Sequence, residues 1–497
     1  MSTRSFLKVA LAVAITIGLS STKADAKDFI QASAAIQIAS DVSEGKCSIP
    51  EIVKIAKKSG MRIVILADRD LMRWEYGLWP LRNIIKQKKE ANSIFRYGVK
   101  RYLKEIAEAR LEYPDTVIIP GVESAPYYHW EGIPFTKSFA LKDWHRHILA
   151  IGLESAKDFR KLPILGNPRG LLLPFNIKNI IYLCLPVIIL ACGAWCFYLK
   201  ERVYMDAAGK WWGGYSRPWR IAGICLVIIG LAVFMNNYPF RDYRFNQYGK
   251  DCGIAPYQGF INYAREHGAM TFWAHPEAKN IDRAYGVDIE TKEYADYILK
   301  SRDYTGFVIF HDGYEKVGRP GGIWDALLNE YCQGTRTSPA WAMGGLAVEH
   351  GDDLGAAIND LRTVFLVKRL TKDEVMGAMR SGRMYVARGA ASPQFVLDAF
   401  TVKDVSSGLE KTMGQEVGSS GDVELAIRGH FLDARIEPCT ILVIKNGVVD
   451  KTIEVGAAFD VAYSDAIGGN AKKGYYRIEI RSKGLVVVTN PVFVRKL

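Results

Sequence analysis

Residues 116–123 read Thr-Val-Ile-Ile-Pro-Gly-Val-Glu. The β-branched run at 116–120 has the composition of a short strand, and the apolar periodicity of 99–111 just before it predicts an amphipathic helix. Working back, 61–67 predicts another strand. Ser48-Ile49-Pro50-Glu51 opens a helix with a cap, a proline in the first turn and an early glutamate. Residues 35–39 are a strand candidate, and 148–151 continue the series downstream. The rhythm resumes with a helix at 258–267, strands at 270–274 and 306–310, a helix at 323–331, strands at 342–347 and 363–367, and a helix at 372–381. Repeated strand and helix with short connections predict an α/β parallel sheet or barrel, carried by 31–160 and 250–390.

Between those halves the composition changes. Residues 180–199 hold no charge, enough for a helix of about 30 Å, the thickness of a hydrocarbon core. Residues 221–235 are also apolar, flanked by Trp219 and Tyr238 as interfacial aromatics. Pro186 in the first run suits a membrane span better than a buried soluble helix. These features predict a two-helix transmembrane insertion within 175–240; a buried core hairpin is the alternative. Residues 1–26 predict a secretory signal, with Arg4 and Lys8 before an apolar stretch and Ala24-Asp25-Ala26 as the cleavage site, or else an uncleaved anchor. Export of the N-terminus would make the loop 200–220 cytoplasmic. Its Lys200, Arg202, Lys210, Arg217 and Arg220 outnumber Glu201 and Asp206, as the positive-inside rule requires, although Arg169, Lys178, Arg241 and Arg244 make the outer flanks basic too. The rest of the chain is then expected on the periplasmic or extracellular face of a bacterial-type membrane.

From about residue 395 short β-rich runs at 423–427, 440–445, 448–453, 475–480 and 486–488, with Asn446-Gly447 between two of them, predict a C-terminal antiparallel β-sandwich over 395–497. A length of 497 residues allows about three units, and 49% hydrophobic residues with 11 Trp exclude a disordered or fibrous chain. The excess of 65 basic over 53 acidic residues gives +12. That surplus is spread out, which suits a face near anionic lipid better than a nucleic-acid groove, so no nucleic-acid partner is expected. The eight cysteines form no C-x-x-C or disulfide framework.

Several short motifs in order resemble the polymerase-and-histidinol-phosphatase (PHP) superfamily, especially its carbaryl-hydrolase-like branch. Gly121-Val122-Glu123 matches G-x-E, His147 to Gly152 matches H-h-L-x-x-G, and Ala274-His275-Pro276 matches A-H-P. Gln37-Ile38-Ala39-Ser40-Asp41-Val42-Ser43-Glu44-Gly45 keeps the frame of H-x-H-T-x-x-S-D-G without its histidines. Ala67-Asp68-Arg69 meets T-D-H, and Gly345-Leu346-Ala347-Val348-Glu349 meets G-S-D-x-H, where His350 could substitute through a bulge. Thr489-Asn490-Pro491 looks like the branch's closing strand. The resemblance implies a distorted (β/α)7 barrel, here interrupted by the membrane insertion, whose strand ends hold metal ions for hydrolysing phosphate or related esters.

Carried over residue by residue, the resemblance implies that Glu123, His147 and His275 are metal ligands, holding at most one divalent ion, zinc or manganese, or none. Two histidines and a glutamate are a sufficient catalytic zinc set. Glu123 and Asp68 are the implied catalytic carboxylates. Gln37, Glu44, Arg69, Glu349 and His350 complete the pocket, with Arg69 expected to replace a metal ion by bridging Glu44 and Glu349. His145 is expected to be exposed or to stack, His311 and Asp312 to cap a loop, and His267 and His430 to lie on the surface. Trp74, Trp79, Tyr127, Tyr128 and Trp130 are expected in rim and core packing, or as a platform for a sugar or aromatic ligand. Two functions remain open: a membrane-anchored, metal-dependent phosphoesterase or other ester hydrolase, and a catalytically inactive pseudoenzyme that binds a ligand or an envelope partner. Partners implied are membrane lipids, through the two spans, and a small-molecule ester or an envelope component.

Overall fold

The computed structural model describes residues 29–284, 286–348, 353–466 and 472–497. The expected signal sequence and the pocket residues Glu349 and His350 lie outside the described residues.

Strand Ile30–Ile38 pairs in parallel with Ile63–Leu66, and that strand with Val117–Ile119. Both inner strands break once, at Ala67 and Pro120, and continue as the parallel pair Asp68–Arg69 and Gly121–Ser124. Next come Ile148–Ile151 and Met270–Trp273, followed in parallel by Gly306–Val308 and Trp341–Met343. The ring closes where Leu346 N–H donates to Ile36 O at 2.8 Å. Ile63–Leu66, Gly121–Ser124, Ile148–Ile151 and Met270–Trp273 are buried throughout, and Ile63–Leu66 and Ile148–Ile151 accordingly read as continuous apolar runs without a polar face.

The helices cover this ring. In Ile49–Lys58 the Ser48–Glu51 capping box forms, with Ser48 N–H on Glu51 Oε2 at 2.8 Å, and Ile49, Ile52, Val53 and Ala56 face inward. Val99–Glu112 buries Val99, Tyr102, Ile106 and Ala109 on one stripe.

The parallel reading fails at two strands: Leu361–Val367 pairs antiparallel with Ile30–Ile38, and the other lies within the ring. Ile148–Ile151 runs antiparallel to both of its neighbours. The segment before it holds no crossover helix; it runs through the short strands His129–Glu131 and Ala140–Lys142, and a connection without a crossover returns the chain in the opposite sense.

The C-terminal region is not a detached module. Leu361–Val367 pairs antiparallel with Ile30–Ile38, then with Met384–Arg388, which pairs with Leu485–Thr489, so one sheet runs from the barrel into the β domain. A second sheet of Phe395–Asp404, Asp422–Phe431 and Phe459–Ala466 packs on it. Asn446 and Gly447 join Cys439–Lys445 to Val448–Val455 with φ of 51° and 92°, the positive values a tight hairpin turn demands. Between barrel and β domain, fully buried Arg477 forks onto Asp325 at 2.7 and 2.8 Å and reaches Glu479 at 3.1 Å. The side chain of Asn490 clamps the backbone N–H and C=O of Ala342, both at 2.9 Å.

The mid-chain insertion folds as two helices, Ile177–Cys196 and Arg217–Asn237, joined through the hairpin strands Lys200–Met205 and Trp211–Tyr215. The helices approach closely at glycine: a Cβ on Gly223 would lie 2.8 Å from the Gly193 carbonyl oxygen, and one on Gly230 equally close to Leu190. Ile181, Leu185, Ile188, Ile224 and Ile228 point away from the protein, 47–61% exposed. The buried core hairpin is therefore excluded as an account of this insertion. Its two feet are stitched together by Leu173 N–H to Asp242 O at 3.1 Å and Arg244 N–H to Leu171 O at 3.0 Å.

Candidate metal centre

Glu123, His147 and His275 meet at one end of the ring. Glu123 belongs to Gly121–Ser124, His147 immediately precedes Ile148–Ile151, and His275 lies just past Met270–Trp273. Because the middle strand is antiparallel to its neighbours, its start lies beside their ends, so three separated motifs converge. His147 Nδ1 is 3.0 Å and His275 Nε2 3.2 Å from Glu123 Oε1, and the two nitrogens are 3.1 Å apart. Zinc bonds of about 2.0–2.1 Å place tetrahedral ligand atoms about 3.3 Å apart, so the donor set fits a single small divalent ion.

Local backbone geometry aims these groups. Gln37 interrupts the register of Ile30–Ile38 against Ile63–Leu66 and adopts φ 61°, which turns its amide inward to donate to Glu123 Oε2 at 3.1 Å. The other amide atom, Gln37 Oε1, is buried without a partner. His275 itself has φ 28°, a region L-residues seldom occupy and one that recurs at functional sites.

Tyr294 is the residue that the sequence did not announce. Its hydroxyl donates to Ala274 O at 2.5 Å, accepts from the His147 N–H at 3.2 Å and lies 3.1 Å from His275 Nδ1. With the phenol proton committed to Ala274, the Tyr294 oxygen faces His275 Nδ1 and fixes the orientation of that ring. No spacing marks Tyr294, because it comes from the loop after Val287–Thr291 and is placed by its own N–H on Pro276 O at 2.8 Å.

Arg69 sits where the resemblance calls for a histidine. It neighbours Glu123 in the parallel register, Nη1 lies 2.9 Å from Glu123 Oε1, and Nε donates to Glu44 Oε2 at 2.8 Å. Arg69 thus bridges Glu44 and Glu123; Glu349, the other carboxylate expected beside it, lies outside the described residues. Burial alone would raise the Glu123 carboxyl; the Arg69 charge and hydrogen bonds from both imidazoles outweigh it and hold it well below the usual range. Burial, reinforced by Arg69, pushes His147 well below an ordinary histidine and His145 down to about 4. His145 packs edge-on against His147, ring centres 5.8 Å apart.

Asp68 faces away from this cluster, since consecutive strand residues alternate sides. Its carboxylate accepts from Ser40 N–H and Ser43 Oγ, both at 2.7 Å, and from Ser40 Oγ at 2.9 Å. Burial nevertheless pushes it up to about 6. The aromatic group divides: Trp79 is 79% exposed on the rim, while Trp74, Tyr127, Tyr128 and Trp130 are buried. His311 and Asp312 both adopt positive φ, and the Asp312 carbonyl accepts the Glu277 N–H at 2.8 Å. His430 is an exposed partner of Asp398 at 2.8 Å, and His267 stacks on Tyr263.

A second cluster of ligand types joins His129, Asp143 and Asp251. Arg146 already takes one Asp143 oxygen at 2.7 Å, which makes this group a weaker cation site than the first.

No family model matches the chain, and no curated protein matches it. Among solved structures it is similar to a two-domain protein containing a predicted PHP-like metal-dependent phosphoesterase, from Bacteroides vulgatus. That likeness has 11% identity and a TM-score of 0.36, covering 92% of each chain. It is also similar to an amidohydrolase from Chromobacterium violaceum, at 14% identity and a TM-score of 0.26, covering 65% of this chain and 90% of that one. At these values the likenesses settle neither activity nor substrate.

Proposed function

We propose that this chain is a membrane-anchored, extracytoplasmic hydrolase of PHP type that works with at most one divalent metal ion on phosphoesters or related esters. The observation that carries the proposal is the triangle of Glu123 Oε1, His147 Nδ1 and His275 Nε2, with edges of 3.0–3.2 Å, at the end of the strand ring. A bound divalent ion supplies Lewis-acid polarisation of a phosphoryl or carbonyl oxygen there. The protein's own groups do the rest. Tyr294 fixes the ring of His275, Gln37 holds the second oxygen of Glu123, and Arg69 offers guanidinium donors to an anionic ester at the open side, where the Glu44 side chain is 39% exposed.

The anchoring half of the proposal is supported by helices of 20 and 21 residues whose aliphatic side chains point outward. Helices of that length reach about 30 Å. A second reading, a pseudoenzyme with a ligand-binding pocket, is favoured by one observation: Arg69 already neutralises Glu123. The two readings separate in an assay of the detergent-solubilised chain on a chromogenic phosphodiester with zinc or manganese. Hydrolysis that disappears in both Glu123→Gln and His147→Ala supports the enzyme, and metal-independent ligand binding without turnover supports the pseudoenzyme. Topology is tested by a reporter active only in the cytoplasm, which should give signal when inserted at Gly209 and none when fused after Leu497.

A further inference from the structure

Where the helix hairpin meets the barrel there is a cavity of about 620 Å³. Its walls come from four places: Tyr182 and the segment 235–239 at the domain end of the two helices, the strand pair Arg73–Gly77 and Lys86–Glu90 with its connecting turn, the stretch 165–171 that leads into the hairpin, and the returning chain at 241–248. The turn is bolted to the helix foot, Asn83 N–H donating to Asn236 Oδ1 at 2.9 Å and Asn83 Nδ2 to Asn236 O at 2.6 Å.

The lining is cationic. Arg73, Arg82, Lys86 and Arg241 face Glu75 and Asp242, and both acids are already occupied: Glu75 by Lys86 at 3.1 Å, and Asp242 by Lys178, outside the cavity wall, at 3.1 Å. Among the described residues, no carboxylate pairs with Arg73, Arg82 or Arg241. Arg82 lies 4.0 Å over the Tyr248 ring; Arg73 Nη2 donates to the Gly166 carbonyl, but the Nε atoms of Arg73 and Arg82 are both buried without a hydrogen-bond partner. Donors desolvated in this way and left unmatched call for an acceptor, and planar guanidinium forks match phosphate oxygens best.

Position decides which phosphate. If the hairpin crosses a bilayer, this cavity lies at headgroup depth, where the exposed aromatics Phe175, Tyr238 and Tyr243 surround the hairpin foot. Met235, on the cavity wall, is 63% exposed beside the outward aliphatic surface that acyl chains would follow. We infer that this cavity is a binding site for the phosphate headgroup of an anionic phospholipid, seating the barrel against the membrane in one orientation. The inference rests on the membrane reading of the hairpin.

The test uses the full chain reconstituted in mixed phosphatidylcholine and phosphatidylglycerol vesicles, extracted in mild detergent, with retained lipid counted by mass spectrometry. Wild type should retain phosphatidylglycerol selectively. The double variant Arg82→Gln/Arg241→Gln should lower that retention about tenfold, the equivalent of about 1.4 kcal/mol. Arg82→Lys/Arg241→Lys should recover part of it, and Lys210→Gln/Arg220→Gln on the interhelical loop should leave it unchanged. Equal retention of both lipids, or an equal loss in the loop variant, overturns the inference. So does inorganic phosphate that displaces the lipid at matched ionic strength, since the site would then take free phosphate. Release of the chain from membranes by alkaline washing without detergent would overturn the membrane reading itself; a chain that resists washing yet shows no headgroup preference overturns only the lipid site.

Discussion

Replacing Arg69 by glutamine should destabilise the barrel in a way that a divalent ion repairs. The guanidinium stands 2.9 Å from Glu123 and 2.8 Å from Glu44, but the two contacts are unequal. The Glu44 side chain is 39% exposed, so that pair contributes only about 0–1 kcal/mol. The Glu123 side chain is 8% exposed, and at an effective dielectric near 20 a pair at this distance is worth roughly 6 kcal/mol before desolvation. Removing one partner of a buried pair costs about 3–5 kcal/mol. The imidazoles at 3.0 and 3.2 Å remain to share the charge of Glu123, so the loss should fall near the lower end, about 3 kcal/mol. Zinc at a hundred times its dissociation constant should then return about 2.7 kcal/mol to Arg69→Gln. Wild type should gain less, because the guanidinium already neutralises the same oxygen. Tryptophan-detected melts of the detergent-solubilised chain, in chelator and in zinc, read both numbers. If Arg69→Gln stays within about 0.5 kcal/mol of wild type in chelator, as an ordinary surface substitution would, and zinc shifts neither protein, the reasoning is refuted.

Three further outcomes follow from the same geometry. Asp68 is pushed up to about 6 from an unfolded value near 3.8, so its favourable contribution is complete below pH 4 and is lost as pH rises through 6. Asp68→Asn should therefore gain on wild type between pH 4 and 7 by up to about 3 kcal/mol; melts showing a pH-independent difference would contradict this. Arg477→Ala should cost about 3–5 kcal/mol by leaving buried Asp325 without its charged partner, and calorimetry should show the β domain melting apart from the barrel; one unchanged transition would count against the shared interface. Replacing the hairpin between Leu173 and Asp242, whose backbones already bond at 3.1 Å, with a short flexible linker should leave a soluble, cooperatively melting protein; persistent aggregation would argue against an insertion.

Much of this was legible in the sequence because it depends on local pattern. The buried strands 63–66 and 148–151 are apolar runs, the helix at 49–58 carries its own cap, and Asn446-Gly447 states its turn outright. The apolar runs 180–199 and 221–235 became Ile177–Cys196, which starts and stops three residues earlier than expected, and Arg217–Asn237, which gains polar residues at both ends. Strand sense was not legible: nothing in Ile148–Ile151 says that it runs antiparallel, since direction is set by the route of the connection before it. The bridging role of Arg69 was readable in kind, from a cation at a ligand position. Its contact with Glu123 was not, because Glu123 becomes its neighbour only through the parallel register of Asp68–Arg69 with Gly121–Ser124. Tyr294 and the strand Phe459–Ala466 carried no signal strong enough to isolate them.

The central claim, one metal site built from Glu123, His147 and His275, is tested most directly by metal stoichiometry. The detergent-solubilised chain would be loaded with zinc, freed of excess and analysed for bound metal beside His275→Ala and His129→Ala. The account predicts one tightly held equivalent in wild type and in His129→Ala, and none in His275→Ala. A full equivalent that survives His275→Ala, or is lost with His129→Ala instead, would contradict it.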